Sequence, residues 1–200
     1  MRFPLAALAL VLLAQRADAE PAHHLQLGVR VGYQWTGLGK EYQLADGSGR
    51  YAEGSVGWRF RPRRSEVGVS VALYGAYARY DSVYRVFGSY RSPVIWTKEL
   101  GPRVSVHFHG LFAGVGAARI RMREKDSGPI IATFYPYPYS YDTTRPGNLV
   151  SLHAGFSSPR VTELGGIAFQ VLVVVCRGWQ DEAYDDDTIE STRIAVGIEY

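Results

Sequence analysis

Arginine and glutamate recur at alternate positions of otherwise apolar segments, a spacing that sends their side chains to one face of an extended chain. Arg30, Glu53, Arg59, Arg61, Arg193 and Glu199 are all placed in this way. Charges withdrawn from water must be paired and hydrogen-bonded. The six are therefore expected to form an Arg/Glu network, with Gln26, Gln34 and Gln170 satisfying the remaining donors. Ser151 and His153 also share a face, the residue types of a nucleophile and its base, but the sequence places no third group to orient them. His107 and His109 lie two apart as well, and His23-His24 forms a second pair. A structural metal site wants four ligands, and no cysteine or carboxylate stands in register with either pair, so neither a metal nor a cofactor is expected. Cys176 is the single cysteine and reads as a small buried residue; Asp185-Asp186-Asp187 reads as a solvated acidic loop tip.

The elements that must carry these residues are strands, because the dominant pattern has period two. Leu25, Leu27, Val29, Val31, Tyr33 and Trp35 oppose Gln26, Gly28, Arg30, Gly32 and Gln34. The same arrangement places Val56, Trp58 and Phe60 against Ser55, Gly57 and Arg59, and Val67, Val69, Val71 and Leu73 against Gly68, Ser70, Ala72 and Tyr74. Weaker alternation covers 86–100, where Pro93 is awkward in a ladder. A long Gly-rich segment follows over 103–122, with a phase slip near His109-Gly110 that suggests a bulge. Three more strands are expected over 149–156, 164–176 and 193–200. Eight strands result. Long polar connectors over 37–50, 81–92, 123–148 and 177–189 alternate with short ones at 61–65, Gly101-Pro102-Arg103 and 157–163. In an up-and-down meander this gives one end with four long loops and another with three short turns.

The chain has 200 residues, 46% of them hydrophobic, a net charge of +3 and one cysteine. Such a composition excludes disorder and a disulfide scaffold. The basic residues are dispersed and no nucleic-acid reader motif is present, so no nucleic-acid partner is expected. Residues 1–19 have a basic start at Arg2, an apolar run from Leu5 to Ala14 and the small-residue signal Ala17-Asp18-Ala19, the layout of a cleaved secretory signal peptide. That run is too short for a transmembrane helix, and no later segment supplies one. Residues 20–200 then form one β-domain. Its polar face is rich in Gly, Ala and Ser with scattered Arg, Glu and Gln, and the chain has only three lysines, Lys40, Lys98 and Lys125. A water-washed exterior would carry more charge, so the polar face belongs inside and the apolar face in lipid.

On the terminal segment Thr192 to Tyr200, the Gly-rich stretch Leu111 to Ala117 and the signal peptide, the chain resembles the eight-stranded outer-membrane β-barrel proteins of the OmpA/OmpX-like type. The resemblance implies an all-β, antiparallel, up-and-down transmembrane barrel in the outer membrane of a Gram-negative-type bacterium, porin-like in build. It also implies that the terminal aromatic with its alternating apolar residues, Ile194, Val196, Ile198 and Tyr200, is the signal read by the barrel-assembly machinery. Inside a bilayer a closed barrel pairs every backbone amide and leaves no edge. Trp35, Trp58, Tyr77 and Trp96 are candidates for the interfacial aromatic belts.

The expected role is structural or surface-interacting within the cell envelope, without catalysis. A lumen of eight strands is filled by side chains, so the charge network is expected to plug it; a gated ion path is the sharper alternative. Recognition would rest on the external loops, above all the stretch containing Tyr135, Tyr137, Tyr139 and Tyr141, which suits adhesion to an extracellular surface, polymer or protein. Two alternatives remain open at this point. One is a secreted or periplasmic soluble barrel with inverted faces, Leu27, Val29 and Ile194 lining a cavity for a small apolar ligand. The other is an outer-membrane lipid hydrolase using Ser151 and His153.

Overall fold

The computed structural model describes residues 21–38, 45–62, 65–86, 89–91, 93–132, 135–159, 167–180 and 188–200; the expected signal peptide and the acidic stretch Asp185-Asp186-Asp187 lie outside the described residues. Nine strands follow in order: β1 (Pro21–Leu38), β2 (Ala45–Pro62), β3 (Val67–Val86), β4 (Ser89–Arg91), β5 (Val94–Phe108), β6 (Leu111–Ala132), β7 (Tyr135–Ser157), β8 (Ala168–Gln180) and β9 (Thr188–Glu199). β4 is a three-residue return that pairs only with the end of β3. The other eight pair antiparallel in chain order, and β9 pairs β1, which closes the barrel. The seam is completed by Tyr200, whose N–H donates to the Leu27 carbonyl at 2.8 Å while Leu27 N–H donates to the Tyr200 carbonyl at 3.0 Å.

Two boundaries differ from the sequence expectation. Gly101-Pro102-Arg103 is the middle of β5 rather than a turn. The real turn is His109-Gly110, where the phase slip suggested a bulge. Both residues have positive φ, 46° and 83°, the requirement of a tight two-residue hairpin of the type whose twist matches its strands. Gly and Pro are tolerated inside β5 for separate reasons. Pro102 has no N–H to donate, and the β5–β6 ladder lapses between Leu100↔Arg119 and Arg103↔Gly116. Gly101 lies where a Cβ would fall 1.9 Å from the Ala117 carbonyl oxygen, so any side chain there would force the strands apart.

The long connectors are also shorter than expected, because the strands continue through them. The stretch over 123–148 is the upper part of a β6–β7 hairpin in unbroken register from Leu111↔Phe156 to Ala132↔Tyr135. β1, β2, β3, β8 and β9 likewise extend into the expected loops. A polar or Pro-containing strand beyond the apolar band carries no apolar alternation, so its sequence reads as loop.

The faces are those of an inside-out barrel. Leu27, Val29, Val31, Leu73, Val115, Leu152, Val171 and Ile194 point outward and are exposed, Leu152 by 65%. Gln26, Arg30, Glu53, Glu99, Arg103, His107 and Arg193 point inward and are buried. This overturns the soluble-carrier alternative, since Leu27, Val29 and Ile194 line no cavity.

Candidate functional site: the charged lumen

Alternation alone delivers one inward side chain from each pair of residues on every strand, and the lumen is filled by what these positions bring together. The lower cluster centres on Glu53 of β2. Its carboxylate accepts from Arg30 Nη1 on β1 at 2.7 Å and from Arg103 of β5 at 2.6 and 2.8 Å, a bidentate fork. The Tyr51 hydroxyl donates to the same carboxylate. Arg30 also donates through Nε to Gln170 Oε1 at 2.9 Å. Gln170 passes the chain on to Glu199 at 2.6 Å, which Gln26 meets at 2.8 Å. Arg103 stacks over the Tyr74 ring, its guanidinium 4.2 Å from the centroid.

A second tie crosses the full width of the barrel. Arg193 on β9 and Glu99 on β5 belong to strands on opposite walls, four places apart in the ring of eight. Arg193 Nη1 donates to Glu99 Oε2 at 2.8 Å, and Nη2 donates to the other oxygen. Both side chains are almost wholly removed from solvent, 2% and 1% exposed, and the Tyr51 ring lies 4.9 Å from the Arg193 guanidinium. Around this tie the remaining inward positions are apolar or aromatic: Tyr80, Ile95, Ile120, Met122, Leu149 and Ile189 are all buried.

Of the residues proposed from sequence, the structure brings Arg30, Glu53 and Glu199 into one network and places Arg193 in the cross-barrel tie. Arg59 reaches only the edge, 3.8 Å from Glu199. Arg61 is exposed beyond the barrel end, where its Nε donates to the Ser65 carbonyl in the β2–β3 turn; it has inward parity but no lumen left to occupy. Gln34 donates to Thr36 at 2.7 Å rather than to a glutamate. Arg103 and Glu99 were missed by the sequence reading because a turn was placed at 101–103. The signal was present: Leu100, Val104, Val106 and Phe108 keep one parity straight through that stretch, which fixes Glu99 and Arg103 on the other face.

The residues with nucleophile-and-base types do not assemble. His153 Nε2 lies 2.8 Å from Ser105 Oγ, and His107 Nε2 lies 2.8 Å from Ser70 Oγ. Ser151 Oγ is buried with no hydrogen-bond partner among the described residues. The lipid-hydrolase alternative loses its proposed pair. His109 faces Glu66 across the turn end at 2.8 Å, far in role from His107, and no group of potential metal ligands occurs among the described residues. Cys176 is free and buried.

Outward, Ile194, Val196, Ile198 and Tyr200 form the exposed apolar row of β9. Trp35, Tyr77 and Trp179 are exposed towards the long-loop end and Trp58 towards the other. Tyr135, Tyr137, Tyr139 and Tyr141 occupy alternate backbone positions of β7 opposite Ala132, Ile130, Gly128 and Asp126; their side chains lie outside the described residues.

The sequence matches no protein-family model and no curated protein. In three dimensions the chain is similar to Ail, the attachment invasion locus protein of Yersinia pestis, in complex with the heparin analogue sucrose octasulfate. The TM-score is 0.56 at 9% identity, over 88% of this chain and 99% of that one. The crystal structure of Ail by itself gives 0.50 at 10% identity, over 88% and 98%. Likeness at this identity speaks to architecture, and the architecture is that of the eight-stranded, closed, antiparallel outer-membrane barrels.

Proposed function

We propose that the chain is an integral outer-membrane β-barrel with a structural or surface-interacting role in the envelope of a Gram-negative-type bacterium. Export through residues 1–19, and recognition of Ile194, Val196, Ile198 and Tyr200 by the barrel-assembly machinery, belong to the same proposal. The observation that carries it is the inversion of polarity. Apolar side chains face out on all eight walls while arginines and glutamates are buried within, an arrangement favourable in lipid and ruinous in water.

The lumen reading is a plug. Arg30, Glu53, Arg103, Gln170 and Glu199 tie five walls together, and Arg193–Glu99 adds a second tie between two of them, β9 and β5, so the charged groups of the lumen are engaged with one another. Catalysis is not part of the reading, because His153 and His107 are engaged by Ser105 and Ser70 and the buried Ser151 hydroxyl has no base beside it. Recognition is assigned to the outer rim, where the β6–β7 hairpin carries Tyr135, Tyr137, Tyr139 and Tyr141. An extracellular polymer is the partner class favoured by the likeness to Ail, whose crystals held a heparin analogue.

The test is a gel mobility comparison, with and without boiling, on envelope fractions, followed by solute efflux from proteoliposomes. A heat-dependent shift in the outer-membrane fraction without efflux is the expected result. Recovery in the soluble fraction overturns the membrane reading, and rapid efflux overturns the plug.

A further inference from the structure

The outward face of one wall breaks the apolar rule in an ordered way. Up β5 from the His109-Gly110 turn, the outward residues are Phe108, Val106, Val104, Pro102 and Leu100, then Lys98 and Trp96. Leu100 to Phe108 is nine residues, about what a tilted strand needs to cross the hydrocarbon, so Lys98 and Trp96 stand at headgroup depth. Cross-strand register sets their neighbours. Arg50 of β2 is directly opposite Arg79 of β3, and Arg79 is opposite Trp96, which is opposite Arg123 of β6. One row lower, Tyr77 is opposite Lys98 and Lys98 is opposite Arg121. All four of Arg50, Arg79, Lys98 and Arg121 are exposed.

Two like-charge pairs, Arg50/Arg79 and Lys98/Arg121, therefore sit face to face on adjacent strands, an arrangement that is destabilising unless an anion lies between them. No carboxylate occupies either row on these strands. Among the described outward side chains of this wall, the acidic ones, Asp81 and Asp142, lie one row higher, opposite Val94 and Lys125. Asp142 is engaged by Arg123, which donates to it at 2.9 and 2.7 Å. Followed the other way round the barrel, the Arg50 row continues into Tyr33, Ile194 and Val173, none of them charged. On that far wall Arg177 has its own carboxylate, Glu190, at 3.7 Å.

We propose that Arg50, Arg79, Lys98 and Arg121 form a binding site for the phosphate groups of anionic lipid headgroups in the outer leaflet. Direct cross-strand neighbours are about 5 Å apart at Cβ, a separation at which two long cationic side chains close on one phosphate, Arg in bidentate fashion. Interfacial aromatics Tyr77 and Trp96 in the same rows hold the site at the membrane surface. A phosphorylated lipid is favoured over a soluble polyanion by this depth, since the charges begin at the edge of the apolar band and not at the rim. The inference rests on the barrel being embedded in a membrane.

The test reconstitutes the full barrel into nanodiscs of phosphatidylcholine alone or of phosphatidylcholine doped with bisphosphorylated lipid A. Heat-dependent mobility is compared for the wild type, Arg79→Gln/Arg121→Gln and, as a control wall, Arg177→Gln. Folding in neutral lipid is scored first, so failure there counts against the membrane reading and not against the site. Given folding, the wild type is expected to gain several degrees with lipid A. The Arg79→Gln/Arg121→Gln variant is expected to match or exceed the wild type in phosphatidylcholine and to lose most of the gain, while Arg177→Gln keeps it. An equal gain in all three proteins overturns the site. Inositol hexakisphosphate or heparin reproducing the full gain in neutral discs overturns the lipid as its ligand.

Discussion

Replacing Glu99 by Gln removes one charge and almost no volume, and so isolates the electrostatic contribution of the cross-barrel tie. The Arg193 side chain it leaves behind is 2% exposed, and no other carboxylate among the described residues is bonded to it. Breaking a buried ion pair from one side costs about 3–5 kcal/mol, whereas replacing both partners with apolar residues of similar size is often neutral. Glu99→Gln is thus expected to lower stability by about that amount. Arg193→Met/Glu99→Met is expected to fall within about 1 kcal/mol of the wild type. Urea unfolding in detergent micelles, followed by tryptophan fluorescence, reads the difference. With a slope near ~2 kcal/mol/M, the single variant's midpoint drops by about 1.5–2.5 M. Glu99→Met and Arg193→Met, each made alone, complete a double-mutant cycle with that double variant; with each single costing about 3–5 kcal/mol, a coupling of about 5 kcal/mol or more is expected. A Glu99→Gln midpoint within about 0.3 M of the wild type, on the same slope, would refute the claim that the tie is buried and unshared.

Three further outcomes follow from other parts of the structure. Val173→Arg, at an exposed mid-wall position of β8, should destabilise the folded barrel by about 2–4 kcal/mol in lipid vesicles; a neutral result there would mean that the wall does not face hydrocarbon. Ser151→Ala should change stability by less than about 1 kcal/mol, because it deletes a hydroxyl that has no partner, while Ser105→Ala strands His153 Nε2 and should cost about 1–3 kcal/mol; equal effects in the same urea titration would contradict the observed pairing. The hydrogen bonds from Arg123 hold the Asp142 carboxyl below its ordinary range. A lowered folded value means that the pairing contributes above the unfolded pKa near ~3.9 and is lost as pH falls through the folded one. Carboxyl chemical shifts of Asp142 should therefore titrate at lower pH in the wild type than in Arg123→Gln, and superimposable curves would count against the pair.

Period-two alternation made the barrel legible, because lipid on one side and packed polar groups on the other impose opposite chemistries on successive residues. Face assignments from Leu25 to Trp35 and from Ile194 to Tyr200 agree with the structure for that reason. Boundaries were legible only where the alternation stopped for a physical cause. At His109-Gly110 the phase changed because the chain reverses. At Gly101-Pro102 two residues typical of turns occur inside a strand, where one fits a close backbone approach and the other a lapse in the ladder. Of the charged lumen, Arg30 and Glu53 could be found by parity, being directly opposite one another. Arg193–Glu99 could not be found as a pair, since residues 94 positions apart on opposite walls meet only through the closure of the whole ring.

The unequal turns have a kinetic consequence. The β5–β6 hairpin closes over two residues, and its partners begin at Phe108↔Leu111, so its loop entropy is small and its encounter is local. The β1–β9 seam joins Val31 to Val196 and Leu27 to Tyr200, among the contacts most remote in sequence within the described residues. Zippering from the local hairpin outward would leave that seam as the final event, with two complementary edges held open until it occurs. During that interval the growing sheet is a curved ribbon with both margins competent for pairing, and the order of assembly is written into the spacing of its contacts.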